Sequence, residues 1–181
     1  VIGLANVVND LQQLIKQGRE FKVFGGRQSV AAMGMLLVDV HSVGLTAAQG
    51  TVLSSVFYWD ADEGSRQFAE KFAVRMKRPP TEAQAMTYSA ALHYLKAVKA
   101  AGTDDTAAVA AKMRELPVND LVTHNARLRA DGRLMRDIHL VRVKKPEDSK
   151  KAWDYFEVLN PIKAEDAFRS PADSVCPLLK G

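Results

Sequence analysis

Residue types able to do chemistry are present in this chain, but not at spacings that let them act together. There is no G-x-S-x-G elbow to expose a nucleophilic serine, no phosphate-cradling Walker loop, no H-E-x-x-H pair and no C-x-x-C. Gly25-Gly26 lacks the G-x-G-x-x-G spacing that brings a backbone against a pyrophosphate. The single Cys176 sits in a Pro-flanked tail with no base near it in sequence. One cysteine cannot build an intrachain framework, so Cys176 reads either as a free thiol or as half of a disulfide whose partner lies upstream. Asp39-Val40-His41 could supply two metal ligands, but no third is evident, and His93, His124 and His139 do not cluster with it. No metal, cofactor or catalytic constellation is expected, and an enzyme is not the expected reading.

One cluster does suit binding. Phe57-Tyr58-Trp59-Asp60 closes an apolar run that reads as a strand, and strand ends in α/β sheets open onto the ligand crevice. Tyr and Trp there offer a flat apolar face and one hydrogen-bonding group, which fits a small aromatic or aliphatic solute. Period-two alternation offers a second reading, with Phe57 and Trp59 in a core and Tyr58 on the other face. Asn6 and Asp39 also follow expected strands, either pointing polar groups into a crevice or capping the next helices.

The elements that would position these residues follow from the pattern. Val1–Leu4 reads as a strand, then Asn6–Gln17 as an amphipathic helix with Val7, Leu11, Leu14 and Ile15 on one face, ended by Gly18. Phe21–Phe24 reads as the next strand of a β-α-β unit, which implies parallel pairing. After a short helical stretch, Met35–Val38 is another apolar run, Asp39–Val43 one helical turn broken by Gly44, and Thr51–Trp59 a strand. Helices are expected over Ala61–Arg75, with Phe68, Phe72 and Met76 on one face, from Thr81 to near Gly102, and over Thr106–Leu116. Thr81-Glu82-Ala83-Gln84 reads as a capping box, and Asp104 or Asp105 as the cap of the third helix. Asp131-Gly132 marks a hairpin between Ala126–Arg129 and Leu134–Arg136, and His139–Val143 and Trp153–Leu159 read as strands about a charged loop. Strands alternating with helices make this an α/β layer protein with a β-rich end.

Composition agrees. The chain has 181 residues, 47% hydrophobic and 25% charged, enough to bury a core. Its net charge of +4 is spread among Asp and Glu rather than gathered in a stripe, which argues against nucleic acid as a partner. No apolar run approaches the roughly 18–20 residues that cross a bilayer. Val1-Ile2-Gly3-Leu4 begins as a strand with nothing before it and no signal peptide, as a processed or truncated product would.

Several stretches, in this order, resemble the second half of the Leu/Ile/Val-type (type I) periplasmic solute-binding proteins of ABC transporters. They are Gly3-Leu4-Ala5-Asn6, Asp39 to Gly50, Phe57-Tyr58-Trp59-Asp60, Tyr88 to Val98 with Ala101-Gly102-Thr103-Asp104, and Asp131-Gly132-Arg133 before Asp137-Ile138-His139-Leu140. The wording is most similar to a subgroup thought to bind aromatic carboxylates.

The resemblance implies a bilobal fold of three-layer α/β/α lobes with ligand between them. It assigns residues 1–57 to the later part of the second lobe, 58–121 to a crossover and return to the first, and 122–181 to the closing strands, a crossover to the second lobe and the tail. By position, Ala5, Asn6, Leu37, Asp39, Tyr58, Trp59 and Tyr88 would line the cleft from this half. The implied function is that of an extracytoplasmic component of an ABC importer, binding an amino acid or aromatic carboxylate by hinge closure and docking on a permease in the inner membrane. It would be periplasmic, exported by a signal peptide outside this chain. The alternative is a sensory ligand-binding domain of the same fold. The absence of a following transmembrane helix before Gly181 favours transport, and unpaired sheet edges would allow self-association.

Overall fold

The computed structural model describes residues 1–24 and 26–175, so Cys176 lies outside the described residues. In chain order the strands are β1 (Ile2–Leu4), β2 (Val30–Ala32), β3 (Val52–Ser55), β4 (Arg127–Leu128), β5 (Leu134–Met135), β6 (Ile138–Val143) and β7 (Phe156–Ile162). The helices are α1 (Val8–Glu20), α2 (Leu37–Val43), α3 (Leu45–Ala48), α4 (Glu63–Met76), α5 (Glu82–Ala101), α6 (Thr106–Glu115) and α7 (Ala164–Ala167). The chain divides into two compact units. The first comprises Val1–Glu82 with His139–Pro161, and the second Ala83–Ile138 with Ile162–Gly181.

The first unit is built on a sheet of order β1-β2-β3-β6-β7, with β1, β2 and β3 parallel and β6 antiparallel to β3. Parallel neighbours need a crossover, and α1 supplies it between β1 and β2. It buries Leu11 and Ile15 against a cluster that also holds Leu4, Val30, Leu37, Val40, Leu53, Val141 and Phe156. Each of these large side chains removes roughly 1.5–3 kcal/mol worth of apolar surface from water. This is the parallel-rich α/β layer that strand and helix alternation implies.

Several local expectations are corrected. Gly18 does not end α1 but is buried inside it, where a Cβ would overlap the Phe24 ring. The missing side chain is what lets Phe24 pack down onto the helix. Phe21–Phe24 is accordingly no strand. The Val23 and Phe24 amides donate to Gly18 O at 2.8 and 3.0 Å and close the helix, while Phe21 is left 74% exposed. The second parallel strand is Val30–Ala32 instead, in the stretch before Met35 expected to be helical. Val7 also departs from the expected buried face of α1 and is 56% exposed.

Elsewhere the elements are shorter than their apolar runs. β3 stops at Ser55 rather than Trp59, and Asp62 then caps α4 by accepting from the Ser65 amide at 2.7 Å. α4 ends at Met76, with the following Lys77 in the left-handed region just before Pro79-Pro80, and Met76 is exposed rather than on the packed face.

The second unit is helical, with a short hairpin. Asp105 caps α6 through the Ala108 amide at 2.9 Å, and β4 pairs antiparallel with β5 around Gly132, whose φ of +81° needs no Cβ. On α5 the small face is buried at Ala85, Ser89 and Ala97, but Ala90 is exposed.

Candidate functional site

In the first unit the C-terminal ends of β1 and β2 leave the sheet side by side, followed by the starts of α1 and α2. The residues there are Ala5, Asn6, Val7, Met33, Gly34 and Leu36, which carry one amide and no charge. Ala5 and Asn6 are exposed, Met33 is 75% exposed and Leu36 39%. The surface is tightly made: a Cβ on Gly34 would meet Val7 Cγ1 at 2.6 Å. Asn6 does not cap α1, whose cap position is Val7 without a side-chain bond, so its amide stays available at the strand end.

Directly behind this surface the start of α2 is neutralised from within. Asp39 is buried; its Oδ2 accepts from the Leu36 amide at 2.9 Å and its Oδ1 from Gln12 Nε2 at 3.0 Å. Glu82 Oε2 accepts from the Leu37 amide at 3.4 Å. Ser55 Oγ lies 2.8 Å from the Phe57 carbonyl and 3.1 Å from Glu82 Oε1. The single hydroxyl hydrogen of Ser55 serves one of these acceptors at a time. Burial pushes the Glu82 carboxyl above its usual range, the nearby Asp39 charge adds to this, and the Ser55 and Leu37 bonds only partly offset it. The amides of Leu36 and Leu37 therefore already have acceptors. What this face offers a ligand is apolar area and the Asn6 amide.

The remaining sequence candidates fall in three places. Leu37 is in the core, 1% exposed, so its side chain supports the α2 start from below. Tyr58 is buried against Phe156, its hydroxyl donating to Asp154 Oδ1 at 3.1 Å; burial and the Asp154 charge raise its pKa, so it stays a neutral phenol. Burial alone would also raise Asp154, but the Lys144 ammonium at 2.6 Å and the Lys150 amide at 2.9 Å outweigh it and hold that carboxyl below its usual range. Trp59 is half-buried and turns to the loop before β7, its Nε1 donating to Trp153 O at 2.9 Å. His41 stacks on Trp153 at 3.9 Å between ring centroids, with its Nδ1 2.8 Å from Tyr155 Oη. Asp39 and His41 thus have separate partners, and among the described residues no group of His, Cys, Asp and Glu could hold a metal. Tyr88 belongs to the second unit, where burial and the Asp120 charge raise its hydroxyl.

A family model described as periplasmic binding protein matches residues 1–151. The chain belongs to the periplasmic binding protein family. Among solved structures, it is 42% identical to a branched chain amino acid ABC transporter periplasmic ligand-binding protein from Burkholderia xenovorans, covering 98% of this chain and 48% of that one, with a TM-score of 0.90. A periplasmic binding protein from Burkholderia mallei is 37% identical, over 97% of this chain and 46% of that one, with a TM-score of 0.89. A leucine binding protein from Thermotoga maritima shares the fold at 17% identity and a TM-score of 0.73. The chain thus spans about half the length of the structures it matches. No curated protein matches it. The family and its structural neighbours are substrate-binding proteins and not enzymes.

Met33, Gly34 and Glu82 are the members of this periplasmic binding protein's strand-end region that sequence reasoning missed. The signal was the run Val30-Ala31-Ala32-Met33 between Ser29 and Gly34, short and apolar with turn residues on both sides.

Proposed function

We propose that this chain is part of the extracytoplasmic solute-binding component of an ABC importer, and that it holds the apolar body of a small carboxylate at the C-terminal ends of β1 and β2. In this reading the first unit belongs to the second lobe and the second unit contributes to the first. Ligand bridging the two lobes favours the closed state through its differential affinity. The closed protein then docks on its permease at the inner membrane, from the periplasm. The observation that carries the reading is the uncharged strand-end surface of Ala5, Asn6, Met33 and Leu36 in a chain of this family.

The same surface favours an aromatic or aliphatic acid over an amino acid. An α-ammonium needs a carboxylate, and the two behind the surface, Asp39 and Glu82, are buried and bonded to the α2 start. Leu37 and Asp39 then act by positioning, Ala5 and Asn6 by contact. Tyr58, Trp59 and Tyr88 would lie outside the first contacts.

Thermal denaturation of the intact binding protein with leucine, isoleucine, benzoate and 4-hydroxybenzoate tests this, since a ligand that binds only the native state raises the melting temperature. The aromatic acids are expected to raise it, and Gly34→Ala to weaken them at least tenfold. A response to leucine and isoleucine alone would overturn the ligand class. Turnover of any of these compounds would overturn the binding-protein reading.

A further inference from the structure

Trp59 lines a pocket of about 490 Å³ that shares no residue with the strand-end surface. It lies within the first unit, between α4 and residues 151–153. Its aromatic walls are Trp59 and Trp153, the two tryptophans of the chain. Both are fixed by the protein itself. Trp59 donates to Trp153 O, Trp153 stacks on His41, and the Trp153 backbone is held at φ +67°, a left-handed conformation that a bulky residue rarely adopts. Arg66, Lys77, Arg78 and Lys151 also line the pocket, against Glu70 as its one lining carboxylate.

These cations are not equally committed. Lys151 lies over the Trp59 ring at 4.5 Å and pairs with Asp60 at 3.1 Å, which Arg66 shares at 3.5 Å. Lys77 donates to Val74 O. Arg78 approaches the Trp153 ring at 5.9 Å, and its Nη1 is buried with no hydrogen-bond partner. A buried guanidinium N–H without an acceptor is costly, and such groups in a folded protein point to something that completes them. A cavity with two pinned indoles, an excess of cations and one arginine nitrogen without an acceptor is complementary to a planar anion.

We propose that this pocket is a second ligand site, which takes an aromatic carboxylate with its ring against the indoles and its carboxylate on Arg78. The inference does not rest on the strand-end surface, and the two sites have separate variants. Because both tryptophans line the pocket, intrinsic fluorescence excited at the red edge of indole absorption reports on it. The test titrates the full chain with benzoate, with benzyl alcohol lacking the charge and acetate lacking the ring. A saturable change with benzoate, at least tenfold weaker with either control, is expected. Arg78→Met and, from the α4 wall, Ala73→Met should each weaken it at least tenfold, while Asn6→Ala leaves it unchanged; circular dichroism checks that each variant is folded. No saturable change with benzoate, a change that persists in folded Arg78→Met and Ala73→Met, or one removed by Asn6→Ala would overturn the proposal.

Discussion

The two units combine apolar bulk and polar links in different proportions. In the first, the core is made of Leu, Ile, Val, Met and Phe side chains brought together by a parallel sheet, and every member of the main hydrophobic cluster lies there. In the second, Val109, Val118, Val122 and Met135 are buried as well, but the buried positions on α5 are Ala85, Ser89, His93 and Ala97, and a directed hydrogen-bond chain joins the apolar groups there. Ser89 Oγ lies 2.6 Å from Asp120 Oδ2 and 2.9 Å from Thr123 Oγ1, and its single hydrogen goes to the carboxylate, so Thr123 donates the other bond. Thr123 in turn accepts from Arg136 Nη1 at 3.1 Å, while Asp120 Oδ1 accepts the Val122 and Thr123 amides. A core of large apolar groups fails gradually as methylenes are removed. A polar chain fails at a single missing link, because the groups left behind are buried and unpaired.

Substitutions in each unit test that contrast. The largest effect is expected from Leu11→Ala, which removes a fully buried side chain in the first unit and should cost about 2–5 kcal/mol in urea unfolding. Gly18→Ala should come next: the usual gain of about 1 kcal/mol for Ala over Gly in a helix is reversed because Phe24 must leave its place, for a net loss of about 1–2 kcal/mol. In the second unit, Ser89→Ala removes few atoms yet should cost about 1–2 kcal/mol. Hydrogen exchange should show faster amides at Val122 and Thr123 with the first-unit sheet unchanged. If Ser89→Ala is neutral, the polar chain is not what holds that unit.

The smallest expected effect is a change of slope. Since the Glu82 carboxyl is raised in the folded state, the native protein binds a proton there more readily than the unfolded chain. The stability from that proton is fully present below the ordinary Glu range and is lost as pH rises through the raised value. Glu82→Gln mimics the protonated carboxyl, so the wild type should lose stability relative to the variant as pH rises through that window. Equal pH dependence of the two proteins would show that Glu82 ionises without cost.

Much of the fold was legible. α6 with its Asp105 cap, the hairpin at Asp131-Gly132 and α2 ended by Gly44 follow from local signals that act within a few residues. Phe21–Phe24 misled because its composition suits a strand, whereas its conformation is set by Gly18, whose lack of a Cβ admits the Phe24 ring. Glu82 read as the second residue of a capping box, yet its carboxylate binds Ser55 and Leu37, 27 and 45 residues away. Asp39 followed an apolar run as a capping residue does, and it closes onto the Leu36 amide three residues before it. Tyr58 and Trp59 were recognisable as unusual side chains, but their partners, Asp154 and Trp153, come from the other end of the chain.

By itself the sequence determined the alternation of elements, the caps and turns, and the family, since each depends on local spacing or on an ordered series of short matches. Only the tertiary structure decided which polar groups remain available. Hydrogen-bond capacity is used up by whatever partner the fold brings near, so Asp39 and Glu82 are committed to the start of α2, Asn6 is not, and Nη1 of Arg78 is buried without an acceptor at a pocket lined by both indoles.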